Sequence, residues 1–254
     1  MPIIHEPQPE TKINLSENGP ILEVQNLHFS YPDGHKALNG ITLQLQEGHK
    51  AALVGPNGSG KSTLMLNIIG ILHGSGVRKI NGMAITEDNL PLIRSQVGIV
   101  FQNPDDQLFS PTVFEDVAFG PLHMGCSEDE TRQRVIEALA MVNMSEYINR
   151  LSYHLSMGEK KRVAIATVLS MKPDLIILDE PSAGLDPRAR RSLINLMNEL
   201  PQTLLVATHD LLLVREILPR TIILDEGLVV ADAATEEILK NTHLLENHGL
   251  ELPV

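Results

Sequence analysis

One segment of the sequence, Gly55 to Thr63, restricts the possible folds more than any other. It reads Gly-Pro-Asn-Gly-Ser-Gly-Lys-Ser-Thr and fits the phosphate-loop pattern G-x-x-x-x-G-K-[ST] at every fixed position. Residues 50–54 are predicted to form a buried strand and residues 64–72 a helix, which is the context that the pattern requires. Glycines let backbone N–H groups approach a phosphate, and a helix N-terminus adds its dipole. The sequence therefore predicts a nucleoside triphosphate site.

The side chains at the end of this loop have specific expected roles. Lys61 supplies a positive charge to the β- and γ-phosphates, and Ser62 supplies a hydroxyl to Mg²⁺. An ordinary glycine-rich turn is the alternative interpretation, but such a turn needs neither Lys61 nor Ser62 at this spacing. We expect the whole loop to contribute to the nucleotide site: Gly55, Pro56, Asn57, Gly58, Ser59, Gly60, Lys61, Ser62 and Thr63.

Composition excludes several classes of partner. The chain has 254 residues, 43% of them hydrophobic, so a large domain with a sizeable core is possible. Its formal net charge of −12 repels nucleic acid, and we expect no nucleic-acid partner. The single cysteine, Cys126, excludes an internal disulfide and is typical of a reducing compartment. No apolar run approaches the ~20 residues of a membrane span, so we expect a soluble chain that another protein holds at any membrane.

The predicted elements divide the chain into segments. Residues 1–20 are rich in Pro, Glu, Asn and Gln, and we expect a disordered arm. Residues 21–233 are predicted as the main domain, within which residues 103–171 have only helical patterns and form an inserted subdomain. The run Ser127-Glu128-Asp129-Glu130 is predicted to open one of its helices as a capping box. Residues 234–254 are predicted as a tail of one or two short helices.

Polar side chains follow three further predicted strands. Gln102 and His209 each follow a buried strand, and Asp179 and Glu180 end a third one. Because the carboxyl ends of parallel strands face the ligand crevice, we expect these side chains to lie near the phosphate loop. Asp179 is placed to hold Mg²⁺, directly or through water, and Glu180 to polarise an attacking water.

The segment 155–159, Leu-Ser-Met-Gly-Glu, precedes this acidic strand end and resembles the signature of ATP-binding-cassette (ABC) ATPases. The resemblance covers roughly residues 21–233. It implies that Asp179 is the metal-binding aspartate, Glu180 the catalytic glutamate and His209 the switch histidine. It also implies that Gln102 belongs to the Q-loop, and that Tyr31 stacks on the base. Without the resemblance, Tyr31 reads as an exposed tyrosine at the end of a strand.

The resemblance also implies a fold and a set of cofactors. The fold is α/β, with a RecA-like P-loop NTPase core, an antiparallel β subdomain and an inserted α-helical subdomain. The cofactors are ATP and Mg²⁺, with Ser62, Gln102 and Asp179 as the metal site. Two chains are expected to bind ATP head to tail, so that Ser156 and Gly158 act on the nucleotide of the partner.

A narrower resemblance lies in residues 102–109, Gln-Asn-Pro-Asp-Asp-Gln-Leu-Phe, which look like those of energy-coupling-factor importer ATPases, and most like the cobalt/nickel type. It implies a homodimer or heterodimer that binds an integral membrane component at the cytoplasmic face of the membrane. The chain would then power uptake of cobalt, nickel or a vitamin. The alternative is an ABC ATPase without a transport role, such as an iron–sulfur cluster assembly subunit, against which only residues 102–121 argue.

Two signature residues depart from the usual Leu-Ser-Gly-Gly-Gln. Met157 replaces a glycine, and Glu159 replaces the glutamine with a negative charge. We expect both changes to weaken the contact with the partner's ATP, which favours pairing with a second, standard ATPase.

Two other classes of protein fit the sequence less well. A DNA-repair cassette would need long coiled coils or zinc sites, and a GTPase would need the guanine-reading N-K-x-D.

Overall fold

The computed structural model describes residues 19–251, so the arm predicted for residues 1–20 lies almost wholly outside the described residues. The strands, in chain order, are β1 (Leu22–Ser30), β2 (Lys36–Leu45), β3 (Lys50–Val54), β4 (Ser75–Ile80), β5 (Met83–Ala84), β6 (Val97–Val100), β7 (Leu175–Asp179), β8 (Thr203–Ala207), β9 (Arg220–Asp225) and β10 (Leu228–Ala234).

The helices alternate with the strands through much of the chain. They are α1 (Lys61–Ile68), α2 (Leu90–Gln96), α3 (Val113–His123), α4 (Glu128–Met141), α5 (Met157–Leu169), α6 (Pro187–Glu199), α7 (Leu211–Ile217), α8 (Thr235–Lys240) and α9 (Thr242–Asn247). Within residues 19–251, no helix has both the length and the apolar composition that a bilayer-spanning segment needs.

The strands form two sheets. One is four-stranded and antiparallel, in the order β2-β1-β4-β5. The other is six-stranded, in the order β10-β9-β3-β8-β7-β6, and all its neighbouring pairs are parallel except β10 with β9. The predicted α/β class with a separate antiparallel sheet is confirmed.

The central strands are apolar on both faces because both faces of the six-stranded sheet are covered. All five residues of β8 are buried, as are the first four of β7. Along β3, Ala52 and Val54 join one apolar cluster, while Ala51 and Leu53 join a second cluster on the other face. The sheet therefore separates two cores, one with α3 to α7 and one with α1 and the antiparallel sheet.

Between β6 and β7 the chain forms helices α3, α4 and α5, which pack on one another. Gly98 of β6 lets α5 approach, since a Cβ there would lie 2.1 Å from Cγ1 of Val168. The capping box predicted at Ser127 is only half formed. Ser127 Oγ accepts from the N–H of Glu130, but the Glu130 carboxylate pairs with Arg134 at 2.6 Å. The boundaries proposed for the inserted subdomain stay a prediction.

Candidate nucleotide-binding site

The phosphate loop connects β3 to α1 and is enclosed by backbone from two other strands. Gly55 has φ +156°, and a Cβ there would lie 2.0 Å from the carbonyl oxygen of Leu224 in β9. Gly60 has φ +106°, and its Cβ would lie 2.6 Å from the carbonyl oxygen of Ala37 in β2. Only glycine fits at either position. Gly60 is also the N-cap of α1 and brings no capping side chain, so the first-turn N–H groups are left for an anion.

Lys61 lies across this loop. Its Nζ donates to the carbonyl oxygens of Gly55 at 2.7 Å and Pro56 at 2.9 Å. Burial lowers the pKa of Lys61, while the charges of Glu180 and Asp179 act in the opposite direction. The ammonium group therefore lies between the loop and the acidic end of β7, where it can meet a bound phosphate.

Tyr31, which follows β1, lies beside the start of α1. Its hydroxyl is 3.0 Å from Oγ1 of Thr63, the last residue of the loop. The ring is nearly parallel to that of His35, with centroids 6.4 Å apart. An aromatic face is thus held next to the loop, which is compatible with base stacking; that role stays a prediction.

The end of β7 concentrates negative charge. Asp179 is partly buried, and burial together with the neighbouring Glu180 raises its pKa, although Lys61 and Lys161 oppose the shift. Carboxylates in such surroundings need a cation, because desolvation penalises the charged form.

The Glu180 carboxylate is held from several sides. It accepts a hydrogen bond from Oγ1 of Thr208 at 3.0 Å and from the backbone N–H of His209 at 3.1 Å, and Nδ1 of His209 lies 2.8 Å from its Oε1. The carboxylate is nearly buried, whereas the side chain of His209 is 70% exposed. Sequence reasoning predicted both residues, and the structure adds that they contact each other.

A third carboxylate near this edge, that of Asp210 at the N-cap of α7, is paired with other side chains. Asp210 accepts two hydrogen bonds from Arg190 at 3.0 Å each and one from Oγ of Ser182 at 3.0 Å. Burial alone would raise the pKa of Asp210, but hydrogen bonds from Leu213 N–H, Arg190 and Ser182 lower it. This network ties Ser182 and the start of α6 to the segment that carries His209 and Asp210.

The signature segment begins α5. Ser156 is the N-cap, and its N–H and Oγ both donate to Oε2 of Glu159 at 2.8 Å, completing a capping box. Burial alone would raise the pKa of Glu159, but the hydrogen bonds from Ser156 and Tyr147 lower it. Glu159 therefore caps its own helix, a role that the sequence analysis did not foresee when it treated this residue only as a nearby charge. Gly158 faces Ala189 of α6, where a Cβ would lie 3.0 Å from the alanine Cβ.

Ser156 and Gly158 make no hydrogen bond to the phosphate loop within residues 19–251. Their predicted action on a partner's nucleotide stays a prediction, and Met157 is exposed beside them.

Gln102 is exposed, and within the described residues its side chain has no hydrogen bond to the helical segment. Another glutamine makes this link. Nε2 of Gln107 donates to the carbonyl oxygen of Ala164 at 2.9 Å and to Oγ1 of Thr167 at 2.7 Å, and its Oε1 accepts from Phe101 N–H at 3.2 Å. Sequence reasoning missed Gln107 because no period or spacing marks one polar residue in an irregular segment.

The predicted metal ligands are a hydroxyl, an amide and a carboxylate, from Ser62, Gln102 and Asp179. All three offer the hard oxygen donors that Mg²⁺ prefers. Burial and Glu180 raise the pKa of Asp179, and a bound cation would stabilise its charged form. Within residues 19–251 there is no group of three or more His, Cys, Asp or Glu side chains that would hold a metal without other ligands. The residues present thus fit Mg²⁺ bound jointly with phosphate.

Comparison with known proteins gives consistent results. The family model described as "ABC transporter" matches residues 38–183. A putative ABC transporter ATP-binding protein of Gloeobacter violaceus is 56% identical over 236 residues, which cover 92% of this chain and 97% of that protein. The energy-coupling factor transporter ATP-binding protein EcfA of Methanothermobacter thermautotrophicus is 46% identical, over 92% of this chain and 77% of that protein.

Solved structures agree with the sequence relatives. The structure of cbiO1 from Clostridium perfringens, described as part of the ABC transporter complex cbiONQ, aligns with a TM-score of 0.81 and 39% identity, over 93% of this chain and 97% of that chain. A dimeric ATP-binding cassette in a post-hydrolysis state with ADP and Pi aligns with a TM-score of 0.76 and 28% identity, over 84% of this chain and 98% of that chain.

Proposed function

The chain belongs to the ABC transporter family of ATPases, and we propose that it is the ATP-hydrolysing subunit of an energy-coupling-factor importer for cobalt or nickel ions. The observation that carries the hydrolytic role is the Glu180 carboxylate, held next to the phosphate loop by Thr208 and His209. The importer assignment is supported by the likeness to EcfA and to cbiO1. A vitamin is the alternative cargo.

Nucleotide binding starts at the loop. The first-turn N–H groups of α1 and the Lys61 ammonium bind the phosphates of ATP. Ser62, Gln102 and Asp179 would hold Mg²⁺, which neutralises charge on the β- and γ-phosphates when bound. Tyr31 provides the aromatic face for the base.

Glu180 acts on the attacking water. Its carboxylate is oriented by Thr208 and His209, so it can accept a hydrogen bond from a water in line with the γ-phosphorus and take its proton. The imidazole of His209 is exposed, so it can contact the γ-phosphate of bound ATP while its Nδ1 stays at Glu180.

Two such chains, or this chain and a related one, sandwich two ATP molecules. The N-terminus of α5 faces the partner's γ-phosphate and offers it the N–H of Gly158. The N–H and hydroxyl of Ser156, which bind Glu159 in the single chain, turn to that phosphate in the closed pair. Because Glu159 is used in the capping box of its own helix, the hydrogen bonds from Ser156 in the single chain stabilise its charge and hold the carboxylate against that helix. ATP closes the pair and hydrolysis opens it.

A membrane protein docks on the helical segment. Phe109 is 66% exposed and packs edge-on against Phe119, which is also exposed, with ring centroids 4.9 Å apart. Leu122 and Met124 extend this apolar surface. Asp105 beside it is anchored to α5 by Lys160 at 2.6 Å. This acidic and apolar surface suits a basic amphipathic helix of the membrane protein. Docking on that helix holds the chain at the cytoplasmic face of the membrane.

A pull-down tests this proposal. Tagged Glu180→Gln protein is recovered from its own membranes with ATP and Mg²⁺, and the bound proteins are identified by mass spectrometry. One multi-helix membrane protein without another ATPase supports a homodimeric importer, and a second related ATPase supports a heterodimer. Only soluble partners would overturn the importer assignment and favour an assembly ATPase.

A matched pair of surface variants sharpens the test. Phe109→Asp should lose the membrane protein from the pull-down. Ile71→Asp changes another apolar residue, 51% exposed after α1, and should keep it. Uptake of labelled Co²⁺ or Ni²⁺ by cells carrying Glu180→Gln, compared with wild type, decides between metal and vitamin cargo.

A further inference from the structure

Lys161 is buried, and packing alone does not explain why a charged side chain lies there. It lies in the second turn of α5 and is only 4% exposed. Its Nζ donates to the carbonyl oxygens of Glu180 at 3.0 Å and Pro181 at 2.9 Å. In the sequence, Lys161 belongs to the run Lys160-Lys161-Arg162, which resembles the importer ATPases but gives Lys161 no role of its own.

We propose that Lys161 is a positioning residue for ATP hydrolysis, which holds the backbone of Glu180 and couples the signature helix to this chain's own catalytic carboxylate. The inference rests on the role of Glu180 in the proposed function. It adds a mechanical link that starts at the helix acting on the partner's nucleotide and ends at the carboxylate acting on the chain's own nucleotide.

The backbone of Glu180 needs support because its conformation is unfavourable. Its φ is +42°, in the left-handed region that is unfavourable for a residue with a Cβ. Such a conformation persists only where the surroundings impose it. Here the Glu180 N–H donates to the carbonyl oxygen of Ala207 at 2.8 Å, and its own carbonyl accepts from Lys161 and from Ala183 N–H. Of these hydrogen bonds to the backbone of Glu180, the one from Lys161 is made by a side chain.

The charge of Lys161 matters as well as its hydrogen bonds. Burial lowers the pKa of Lys161, and the negative charges of Glu180 and Asp179 counteract that effect. An apolar side chain of similar length would fill the space without this desolvation cost. A lysine at this place therefore indicates that the two adjacent carboxylates need a cation nearby. Lys161 supplies that charge even when Lys61 binds a phosphate.

The same helix carries the signature. Ser156 caps α5, and Lys161 follows five residues later, about 7.5 Å along the axis at 1.5 Å per residue. A helix transmits a displacement of its first turn to its second as a rigid rod. Movement of Ser156 toward a partner's nucleotide therefore moves the two carbonyl groups that Lys161 holds, and with them the Glu180 side chain.

The chain contains a matched control. Lys50 also donates two hydrogen bonds to backbone carbonyls, of Met197 at 2.9 Å and Asn198 at 2.7 Å. Burial lowers the pKa of Lys50 too. These contacts lie where α6 ends, at the opposite end of the sheet from Glu180, so Lys50 has the same chemistry without the catalytic position.

The experiment compares Lys161→Met, Lys161→Arg and Lys50→Met in ATP hydrolysis and thermal unfolding. We expect Lys161→Met to lower kcat about 10- to 100-fold, as misplacement of a catalytic group by about 1 Å does, with KM for ATP and the Kd of a fluorescent ATP analogue little changed. Lys161→Arg, which keeps the charge and the donors, should recover most of kcat. Lys50→Met should lower Tm and leave kcat near wild type.

Several results would overturn the inference. These are a near wild-type kcat in Lys161→Met, an equal loss of kcat in Lys50→Met, or a loss in Lys161→Met that affects KM and Kd as strongly as kcat. If Lys161→Met does not fold, failure of the folded Lys161→Arg to retain kcat decides against the inference. Glu180→Gln, assayed in parallel, separates the two proposals: if it keeps wild-type turnover, the catalytic assignment itself fails.

A second readout examines the coupling. The Glu180→Gln protein should form an ATP-dependent dimer, measured by light scattering. At saturating ATP, adding Lys161→Met should raise the protein concentration at half-dimerisation, whereas adding Lys50→Met should not. No shift in the first double variant would argue against a link between the signature helix and Glu180.

Discussion

Both ends of the six-stranded sheet carry charged side chains, but these side chains are paired differently at the two ends. At the amino end, Arg220 binds Asp232 through two hydrogen bonds of 2.7 Å, and Lys50 caps the end of α6. At the carboxyl end, Asp179 and Glu180 stand next to each other in a partly buried place, and Glu180 adopts a left-handed backbone.

The difference shows how this sheet divides stability and function. The guanidinium of Arg220 has its pKa raised by the hydrogen bonds to Asp232, as expected for a satisfied ion pair. Asp179 has its pKa raised by burial, which marks a carboxylate that the fold does not satisfy. An open cleft of about 690 Å³ lies at the amino end, but its charged residues already have partners. Burial also raises the pKa of Asp174 at the amino end, but there Asn81 donates a hydrogen bond to the carboxylate at 3.0 Å. The pair of adjacent carboxylates, more than the size of a cavity, therefore supports the carboxyl end as the proposed nucleotide site.

The largest effect expected from this comparison is kinetic. Glu180→Gln should lower kcat for ATP hydrolysis about 10²- to 10⁴-fold, the usual contribution of a general base. Asp232→Asn at the opposite end should leave kcat unchanged. A phosphate-release assay on both variants checks this, and near wild-type turnover in Glu180→Gln would remove the proposed difference between the ends.

The second prediction concerns a satisfied carboxylate at the functional end. Asp210→Asn should lower the free energy of unfolding at pH 7 by about 1.5–3 kcal/mol, the worth of hydrogen bonds to a charged group. Because the pKa of Asp210 is lowered in the fold, its stabilisation is present above the unfolded pKa of about 3.9 and is lost as pH falls through the folded pKa. Urea unfolding at pH 7 and at acid pH should show the difference shrink.

Asp179 should respond in the opposite direction. Its pKa is raised in the fold, so ionised Asp179 destabilises the protein, and stability falls as pH rises from the unfolded toward the folded pKa. Without nucleotide or Mg²⁺, Asp179→Asn should therefore increase the free energy of unfolding at pH 7 while it impairs hydrolysis. The same urea series checks this; a destabilised variant would mean that Lys61 and Lys161 already satisfy the carboxylate.

The smallest effect is expected at the amino end. The Arg220–Asp232 pair is partly exposed, so Asp232→Asn should cost about 0.2–1 kcal/mol of unfolding free energy. High salt should reduce the cost, because it screens exposed pairs. A larger loss of unfolding free energy that salt does not reduce would show that the Arg220–Asp232 pair is more than a solvated surface contact.

Helix termini illustrate how far sequence reasoning reaches. The sequence predicted a capping box at Ser127, yet the Glu130 carboxylate binds Arg134 because an exposed side chain has a choice of partners. A complete box forms at Ser156, where Glu159 was interpreted only as a charge near a nucleotide. The residue pattern is the same in both places, and the neighbouring side chains decide which contact forms.

The phosphate loop, the buried strands β7 and β8 and the α/β class could all be predicted from the residues alone. These follow from local chemistry, because glycine spacing and apolar runs set the conformation of a segment without reference to distant residues. The contacts of Gln107 with α5, of His209 with Glu180 and of Lys161 with the Glu180 backbone could be seen only in the folded chain. Those contacts join segments far apart in the chain, and burial, which no local pattern records, determines what each charge costs and which partner it takes.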